Sequence, residues 1–187
     1  MTYDNSRDYI NKYSEEDFED IQARYDGKAE YYDGAVILSS TTSIKHNEIK
    51  RNILTEFSIY LKGSNCQVYD EQIEVIFQDK DDVRKYKPDV FVMCEDATKK
   101  GESFTSAPKV IFEILSKTTA KFDRTVKYDT YEKFGVEEYN IVAQTGSIVQ
   151  YKLIDGAYEI ANEYKNDDVY VSVVFPDLKI NLIDIFE

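Results

Sequence analysis

Two acidic residues each interrupt a short, apolar, strand-like run of sequence. Asp89 lies in KPDVFVM (87–93) and Glu113 lies in VIFEILS (110–116). Runs that are apolar on both alternating faces are typical of strands in the middle of a sheet, where an unpaired carboxylate is strongly destabilising. The sequence therefore predicts a partner for both carboxylates, and a divalent metal ion held between them is the simplest candidate.

A lysine further along the chain is predicted to face the same place. Residues 120–134 have a helical pattern that ends at Gly135. At 3.6 residues per turn, Lys127 falls on the inward stripe together with other members of this helix, namely Asp123, Val126, Thr130, Tyr131 and Phe134. Side chains alternate along strands, so Asp89 and Glu113 can converge if their strands are neighbours. Two acids and one base around a phosphate indicate metal-dependent phosphodiester hydrolysis.

Length and composition indicate one domain. The chain has 187 residues, of which 42% are hydrophobic, enough for a sizeable core. We predict a single domain over 1–187, with an acidic N-terminal helical extension (1–24), a core (25–142) and a C-terminal β-hairpin region (143–187).

The net charge of −13 argues against a nucleic-acid partner, because affinity for phosphates comes from Lys and Arg. The charge is uneven, however. Residues 117–133 carry five basic and three acidic residues, which gives a modest basic strip beside the proposed site.

Cys66 and Cys94 are too few for a disulfide scaffold and lack zinc-ligand spacing, so two reduced thiols are predicted. Residues 1–10 are polar and the longest apolar runs are of strand length. These features predict a cytoplasmic protein without a membrane span.

The pattern of elements predicts an α/β (α+β) fold with a mixed sheet. An acidic helix follows the cap Ser14, with Asp17 completing a capping box, and Asp33-Gly34 forms a hairpin turn. A second helix runs from Ser43 to Gly63. Strands are predicted over 67–77, 88–93, 110–115, 138–142, 148–153, 157–161 and, at an edge, 169–175. Hairpins and one strand–helix–strand crossover then give helices packed on a central mixed sheet.

The order of these features resembles the Uma family of restriction-type endonucleases, in the PD-(D/E)XK nuclease superfamily. The resemblance covers roughly residues 25–142. It is carried by Glu30-Tyr31-Tyr32-Asp33-Gly34, His46, Pro88-Asp89, Ala107-Pro108, Glu113-Ile114-Leu115-Ser116, Lys127 with Tyr131, and Gly135-Val136-Glu137-Glu138-Tyr139. The parent superfamily has a lysine where this chain has Leu115, and Lys127 matches the migrated lysine of the Uma family. Ser39 to Ser43 and Asn140 depart from the family pattern, which has proline and tryptophan there.

The resemblance implies a restriction-endonuclease-like core that hydrolyses DNA with Mg²⁺, for which Mn²⁺ can substitute. Asp89, Glu113 and the Ile114 carbonyl would bind the metal. Lys127 would orient the attacking water or stabilise the phosphorane. Glu30 and His46 are accessory candidates. DNA is the expected substrate, and a homodimer would supply the second site needed to cut both strands.

Structural interpretations remain open for each residue. Asp89 can be a turn or cap residue after proline. Glu113 can form a salt bridge with Lys127 or Lys87, and Lys127 can be an ordinary solvated helix lysine. Glu30 can be a hairpin residue, and His46 can cap or pack the first turn of its helix.

Two further groups are expected to be structural. Glu138 is interpreted as a sheet-edge or helix-pairing acid. The sixteen tyrosines could stack on bases, but the simpler interpretation is that they fill the core and rim. The alternative function is a catalytically inactive, nuclease-fold module for binding or dimerisation, which the net charge favours.

Overall fold

The computed structural model describes residues 12–39, 42–80, 82–117 and 119–187. Residues 1–11 of the predicted acidic extension lie outside these ranges. The helices are α1 (Glu15–Arg24), α2 (Ile44–Tyr60), α3 (Ala120–Phe122), α4 (Tyr128–Phe134) and α5 (Leu182–Phe186), with a π-helical turn (Asp123–Lys127) between α3 and α4. The strands are β1 (Lys28–Tyr32), β2 (Ala35–Ser39), β3 (Cys66–Asp70), β4 (Val75–Asp79), β5 (Asp82–Tyr86), β6 (Val90–Cys94), β7 (Lys99–Lys100), β8 (Ser103–Phe104), β9 (Val110–Ile114), β10 (Glu138–Ala143), β11 (Ser147–Ile154), β12 (Ala157–Lys165), β13 (Val169–Val171) and β14 (Lys179–Asn181).

The described residues form two six-stranded sheets and one two-stranded sheet. The central sheet has the order β12-β11-β10-β9-β6-β3, and the second sheet has the order β2-β1-β5-β4-β8-β7. In the central sheet β9 and β10 are parallel, and the helical segment 120–134 connects them. The predicted mixed α/β fold with its strand–helix–strand crossover is confirmed. The division into two large sheets was not predicted.

The predicted strand 67–77 is wrong, because it is two strands in different sheets. β3 pairs with β6 in the central sheet, whereas β4 pairs with β5 in the second. Between them the Asp70 side chain accepts a hydrogen bond from the Gln72 backbone N–H at 3.1 Å, which is the bonding of an Asx-turn. This turn redirects the chain from one sheet to the other.

The helices follow their sequence signals closely. Ser14 and Asp17 form the predicted capping box of α1, and Phe18 packs on Tyr31 of β1 with ring centroids 5.4 Å apart. Ile49 and Phe57 on α2 are buried against the central sheet. A buried stripe of this kind is what attaches an amphipathic helix to a sheet.

The helix predicted over 120–134 is confirmed in extent, but it is not a regular α-helix throughout. It contains the π-helical turn Asp123–Lys127, and it ends at Gly135, whose φ of 86° is readily available only to glycine. Single π-helical turns are frequent at functional sites. Here the turn carries Asp123 and Lys127, both of which are buried.

The prediction of two free thiols is wrong. Cys66 and Cys94 form a disulfide. The antiparallel register of β3 and β6 places them directly opposite each other, with Cα atoms 3.9 Å apart. Their separation in sequence gives no hint of this pairing, because it depends on which strands are neighbours.

Glu138 is not the edge or helix-pairing acid that the sequence suggested. It begins β10, which lies between β9 and β11, and it is fully buried. Neutral donors surround its carboxylate, so burial does not require a cation there. Tyr131, Tyr139 and Tyr170 are also fully buried, which supports the core interpretation for these tyrosines.

Across the described ranges, no helix combines the length and apolar character that crossing a membrane requires. The division of the chain at residues 24 and 142 stays a prediction.

Candidate active site

The ends of two neighbouring strands bring Asp89 and Glu113 together. β6 and β9 are antiparallel, and their register runs to the pair Val90↔Phe112. Asp89 immediately precedes Val90, and Glu113 immediately follows Phe112, so both acids lie at the same end of the strand pair. The Ile114 backbone N–H donates to Asp89 Oδ2 at 2.8 Å, and both acidic side chains are buried.

Lys127 reaches this pair from the π-helical turn, facing inward as predicted. Its Nζ lies 2.9 Å from Glu113 Oε1, 3.0 Å from Glu30 Oε1 and 3.5 Å from Asp123 Oδ1. The side chain is only 1% exposed, which excludes the interpretation as a solvated helix lysine. The salt bridge between Glu113 and Lys127 that the structural interpretation anticipated is present. It is common to both interpretations and does not separate them.

Glu30 and His46 also enter the site. Glu30 on β1 accepts a hydrogen bond from the Lys87 backbone N–H at 2.9 Å. His46 Nε2 lies 3.1 Å from Asp89 Oδ2. An ionised carboxylate can only accept a hydrogen bond, so Nε2 is the protonated nitrogen. His46 Nδ1 is buried and has no hydrogen-bond partner among the described residues.

Three further residues complete the site and were given no role from the sequence. Lys28 Nζ lies 3.0 Å from Asp89 Oδ1 and 3.9 Å from Glu30 Oε1. The Tyr131 hydroxyl donates to Glu113 Oε1 at 2.7 Å. Asp123 and Tyr131 were visible on the inward helical stripe. One indication for Lys28 was present in the sequence: it lies two residues before Glu30, so the two side chains are on the same face of β1.

We call the eight residues together the site cluster: Lys28, Glu30, His46, Asp89, Glu113, Asp123, Lys127 and Tyr131. Within the described part of the chain it contains four carboxylates and two lysine ammoniums joined by ion pairs. When all of these are ionised and His46 is neutral, two negative charges are left over. Uncompensated charge is costly in a buried place.

The pKa values of the acids are shifted in different directions. Burial raises the pKa of Glu113 to about 8, and the nearby Lys127 charge offsets it only in part. Burial likewise raises the pKa of Asp123. Burial also opposes ionisation of Asp89, but the Lys28 charge and the hydrogen bond from His46 outweigh it and lower its pKa. Asp89 is therefore the firmly ionised acid.

Both lysines remain charged. Burial lowers the pKa of Lys127, but the surrounding carboxylates, led by Glu113, more than reverse this and raise it well above its ordinary value. The same balance, led by Asp89, raises the pKa of Lys28. An ammonium with a raised pKa is a fixed positive charge rather than a general base.

The oxygen atoms of the site cluster are suitable ligands for a divalent cation, although they are not already arranged as a complete binding site. Mg²⁺ prefers hard oxygen ligands and is usually held by one or two carboxylates and several waters. Asp89 and Glu113 supply such oxygens, and a divalent ion would balance the two negative charges left when all four acids are ionised. Within the described ranges, no group of three or more His, Cys, Asp and Glu side chains is already arranged to hold a metal.

Comparison with known proteins places the chain in a family. Residues 15–183 match the Uma2 family, whose description is "Putative restriction endonuclease". The chain belongs to the Uma2 family. The match extends beyond the 25–142 range of the resemblance and includes α1 and the whole site cluster.

Two individual proteins are similar to this Uma2 chain. An uncharacterized protein of Synechocystis sp. (strain ATCC 27184 / PCC 6803 / Kazusa), slr1290, is 27% identical over 160 residues, which cover 83% of each chain. The crystal structure of a putative nuclease belonging to DUF820 from Anabaena variabilis ATCC 29413 superposes with a TM-score of 0.69 at 17% identity, covering 89% of this chain and 96% of that one. The second likeness shows a shared fold.

Proposed function

We propose that this Uma2 protein is a Mg²⁺-dependent endonuclease that hydrolyses phosphodiester bonds in DNA. The observation that carries the proposal is the site cluster. Its carboxylates converge at the ends of β6 and β9, and a divalent cation would balance the two negative charges that the cluster carries when all four acids are ionised. The family description and the nuclease-like fold support the same activity.

Asp89 and Glu113 are the residues that would hold Mg²⁺, with the Ile114 carbonyl as a third oxygen ligand. Mn²⁺ can take the place of Mg²⁺. When bound, the ion would polarise the phosphate and acidify a coordinated water. Asp89 suits this role because it is held ionised, and His46 and the Ile114 N–H fix the orientation of its carboxylate.

Lys127 would act as a fixed positive charge. Its raised pKa keeps it protonated, so it can stabilise charge that develops on the phosphorane, or donate a hydrogen bond that orients the attacking water. Glu30 and Asp123 position the ammonium, since both form ion pairs with it. Glu30 is thus an accessory residue that acts through Lys127, and His46 acts through Asp89.

The expected substrate is DNA, and cutting both strands of a duplex with one site per chain requires a second copy. We therefore propose a homodimer, which light scattering would test. Exposed basic residues of the predicted strip, such as Lys121 and Arg124, lie on the helical segment that carries Lys127 and would meet the DNA backbone. A cytoplasmic location, where DNA and Mg²⁺ are both present, follows from this activity.

Cleavage of supercoiled plasmid tests the proposal. Wild-type protein should nick or linearise plasmid with Mg²⁺ or Mn²⁺ and not with EDTA. Asp89→Asn should reduce the rate by about a hundredfold or more, because it removes an anionic metal ligand. Glu102→Gln removes an exposed carboxylate that does not belong to the site cluster and should cleave plasmid at the wild-type rate. Equal rates for wild type and Asp89→Asn would contradict the proposal.

The second candidate is an inactive nuclease-fold module for binding or dimerisation. Two observations favour it. Lysines already neutralise part of the site cluster, and no metal-binding group of three side chains is preformed within the described residues. Such a protein would show no metal-dependent cleavage and no stabilisation by Mg²⁺.

A further inference from the structure

The two oxygens of Asp89 have different surroundings. Oδ2 accepts hydrogen bonds from His46 Nε2 at 3.1 Å and from the Ile114 N–H at 2.8 Å. Oδ1 faces Lys28 Nζ at 3.0 Å. With Oδ2 held by two fixed donors, Oδ1 is the oxygen that remains for a metal ion. Lys28 therefore lies where a cation bound to Asp89 would have to lie.

The two lysines of the site cluster differ in how firmly they are held. Lys127 is 1% exposed and contacts three carboxylates. The Lys28 side chain is 18% exposed and has one close partner, Asp89, with Glu30 at 3.9 Å. Lys28 thus lies on the solvent side of the cluster. Its flexible stem can move the ammonium without unpacking the core.

We propose that Lys28 and a divalent ion are alternative partners of Asp89 Oδ1, and that Lys28, once displaced, binds a phosphate oxygen of the DNA. The inference rests on the proposed nuclease function. Two cations repel each other strongly at one oxygen in a poorly solvated site, so they exclude each other there. A phosphate that enters beside the ion is the nearest new anion for the displaced ammonium.

This arrangement predicts opposite effects on two kinds of binding. Removing the Lys28 charge removes the competitor of the metal, so Lys28→Met should bind Mn²⁺ about tenfold more tightly than wild type. The same variant loses one phosphate contact. Its affinity for DNA, measured with Ca²⁺ in place of Mg²⁺, should fall several-fold, and its salt dependence should weaken by about one unit of slope. A residue that only supports the fold would not tighten metal binding.

The test is Mn²⁺ titration followed by electron paramagnetic resonance of free Mn²⁺, on wild type, Lys28→Met and Lys152→Met. Lys152 is an exposed residue of β11, so its variant controls for the loss of one positive charge from the protein. Tighter Mn²⁺ binding by Lys28→Met alone supports the inference. If wild type binds Mn²⁺ and Lys28→Met binds it equally or more weakly, the inference is overturned while the nuclease proposal stands. If neither protein binds Mn²⁺, both are overturned.

A second readout uses the wild-type protein and does not depend on a folded Lys28→Met. The ¹⁵Nζ resonance of Lys28, assigned with Lys28→Arg, reports the ion pair with Asp89. It should shift when Mg²⁺ is added, because the ammonium leaves Oδ1. A Lys28 resonance that stays in place while Mg²⁺ saturates the protein overturns the inference.

Discussion

Two buried glutamates on adjacent parallel strands of the central sheet have opposite surroundings. Glu113 on β9 is 1% exposed, and Glu138 on β10 is 0% exposed. Glu138 accepts hydrogen bonds from six donors, all of them neutral, namely Asn140 Nδ2, Gln150 Nε2, the Tyr170 and Ser172 hydroxyls and the backbone N–H groups of Val173 and Val174. Glu113 contacts the ammonium of Lys127 and the hydroxyl of Tyr131.

The contrast separates a structural carboxylate from one suited to chemistry. The lone pairs of Glu138 are saturated by groups fixed in the backbone and the core, so a ligand could bind only by breaking several hydrogen bonds. Glu113 belongs to a cluster of four carboxylates and two ammoniums, and its own partners are one cation and one hydroxyl. Burial of an acid is therefore not by itself a sign of function. The number and the charge of its partners distinguish a structural acid from one that can take part in chemistry.

The largest predicted effect on stability is at Lys127. Lys127→Met removes the ammonium that faces Glu30, Glu113 and Asp123, and it should cost about 3–5 kcal/mol of unfolding free energy in EDTA. Urea denaturation measures this, and Mg²⁺ should recover part of the loss. Lys133→Met is the control, since its partly exposed ion pairs should contribute less than about 1 kcal/mol. A Lys127→Met protein as stable as wild type would show that the cluster does not need its cation.

Substitution of Glu138 should also destabilise the protein, but Mg²⁺ should not reverse the loss. Glu138→Leu leaves six donors without their acceptor, so we expect a loss of about 3 kcal/mol in unfolding free energy. Urea denaturation with and without Mg²⁺ should give the same loss, because no metal acts at this residue. Recovery of the variant by Mg²⁺ would contradict the distinction between the two glutamates.

The most gradual expected effect is the dependence of stability on pH, which is small for each pH unit. Glu113 has a raised pKa in the folded protein, so between its ordinary value of 4.5 and about 8 the folded state binds more protons than the unfolded state. The unfolding free energy in EDTA should then fall as pH rises through this window, by about 1 kcal/mol per pH unit. Asp89 has a lowered pKa and acts in the opposite sense, with its contribution lost at more acidic pH.

Glu113→Gln isolates the contribution of Glu113 to the pH dependence of stability. The amide does not titrate, so the difference in unfolding free energy between wild type and variant should carry the slope. Chemical denaturation at several pH values between 5 and 8 measures it. A difference that stays flat across this range would show that Glu113 is ionised in the metal-free protein.

Local sequence patterns predicted the parts of the fold that depend on neighbouring residues. The apolar runs around Asp89 and Glu113 are β6 and β9, because strands buried on both faces leave that pattern. Helical periodicity placed Lys127 inward, and the capping box at Ser14 marked the start of α1. These signals are complete within a few residues of sequence.

Other features depend on contacts between distant segments and left no such signal. β5 was missed because its sequence is charged, yet Lys85 is buried there and pairs with Glu15 and Glu19 of α1. The disulfide required the register of β3 and β6. The ion pair between Lys28 and Asp89 forms because β1 of the second sheet lies beside the end of β6 in the central sheet. Only the tertiary structure brings these residues together.

The most direct test of the account is isothermal titration of Mg²⁺ and Mn²⁺ into wild type, Glu113→Gln and Glu102→Gln. The account predicts saturable binding to wild type and to Glu102→Gln, whose altered carboxylate is exposed and outside the site cluster. Binding should be lost in Glu113→Gln, because that variant removes a proposed metal ligand and replaces a carboxylate with an amide that cannot ionise. Equal metal binding by wild type and Glu113→Gln, or no binding by wild type, would contradict the claim that the site cluster is a metal centre.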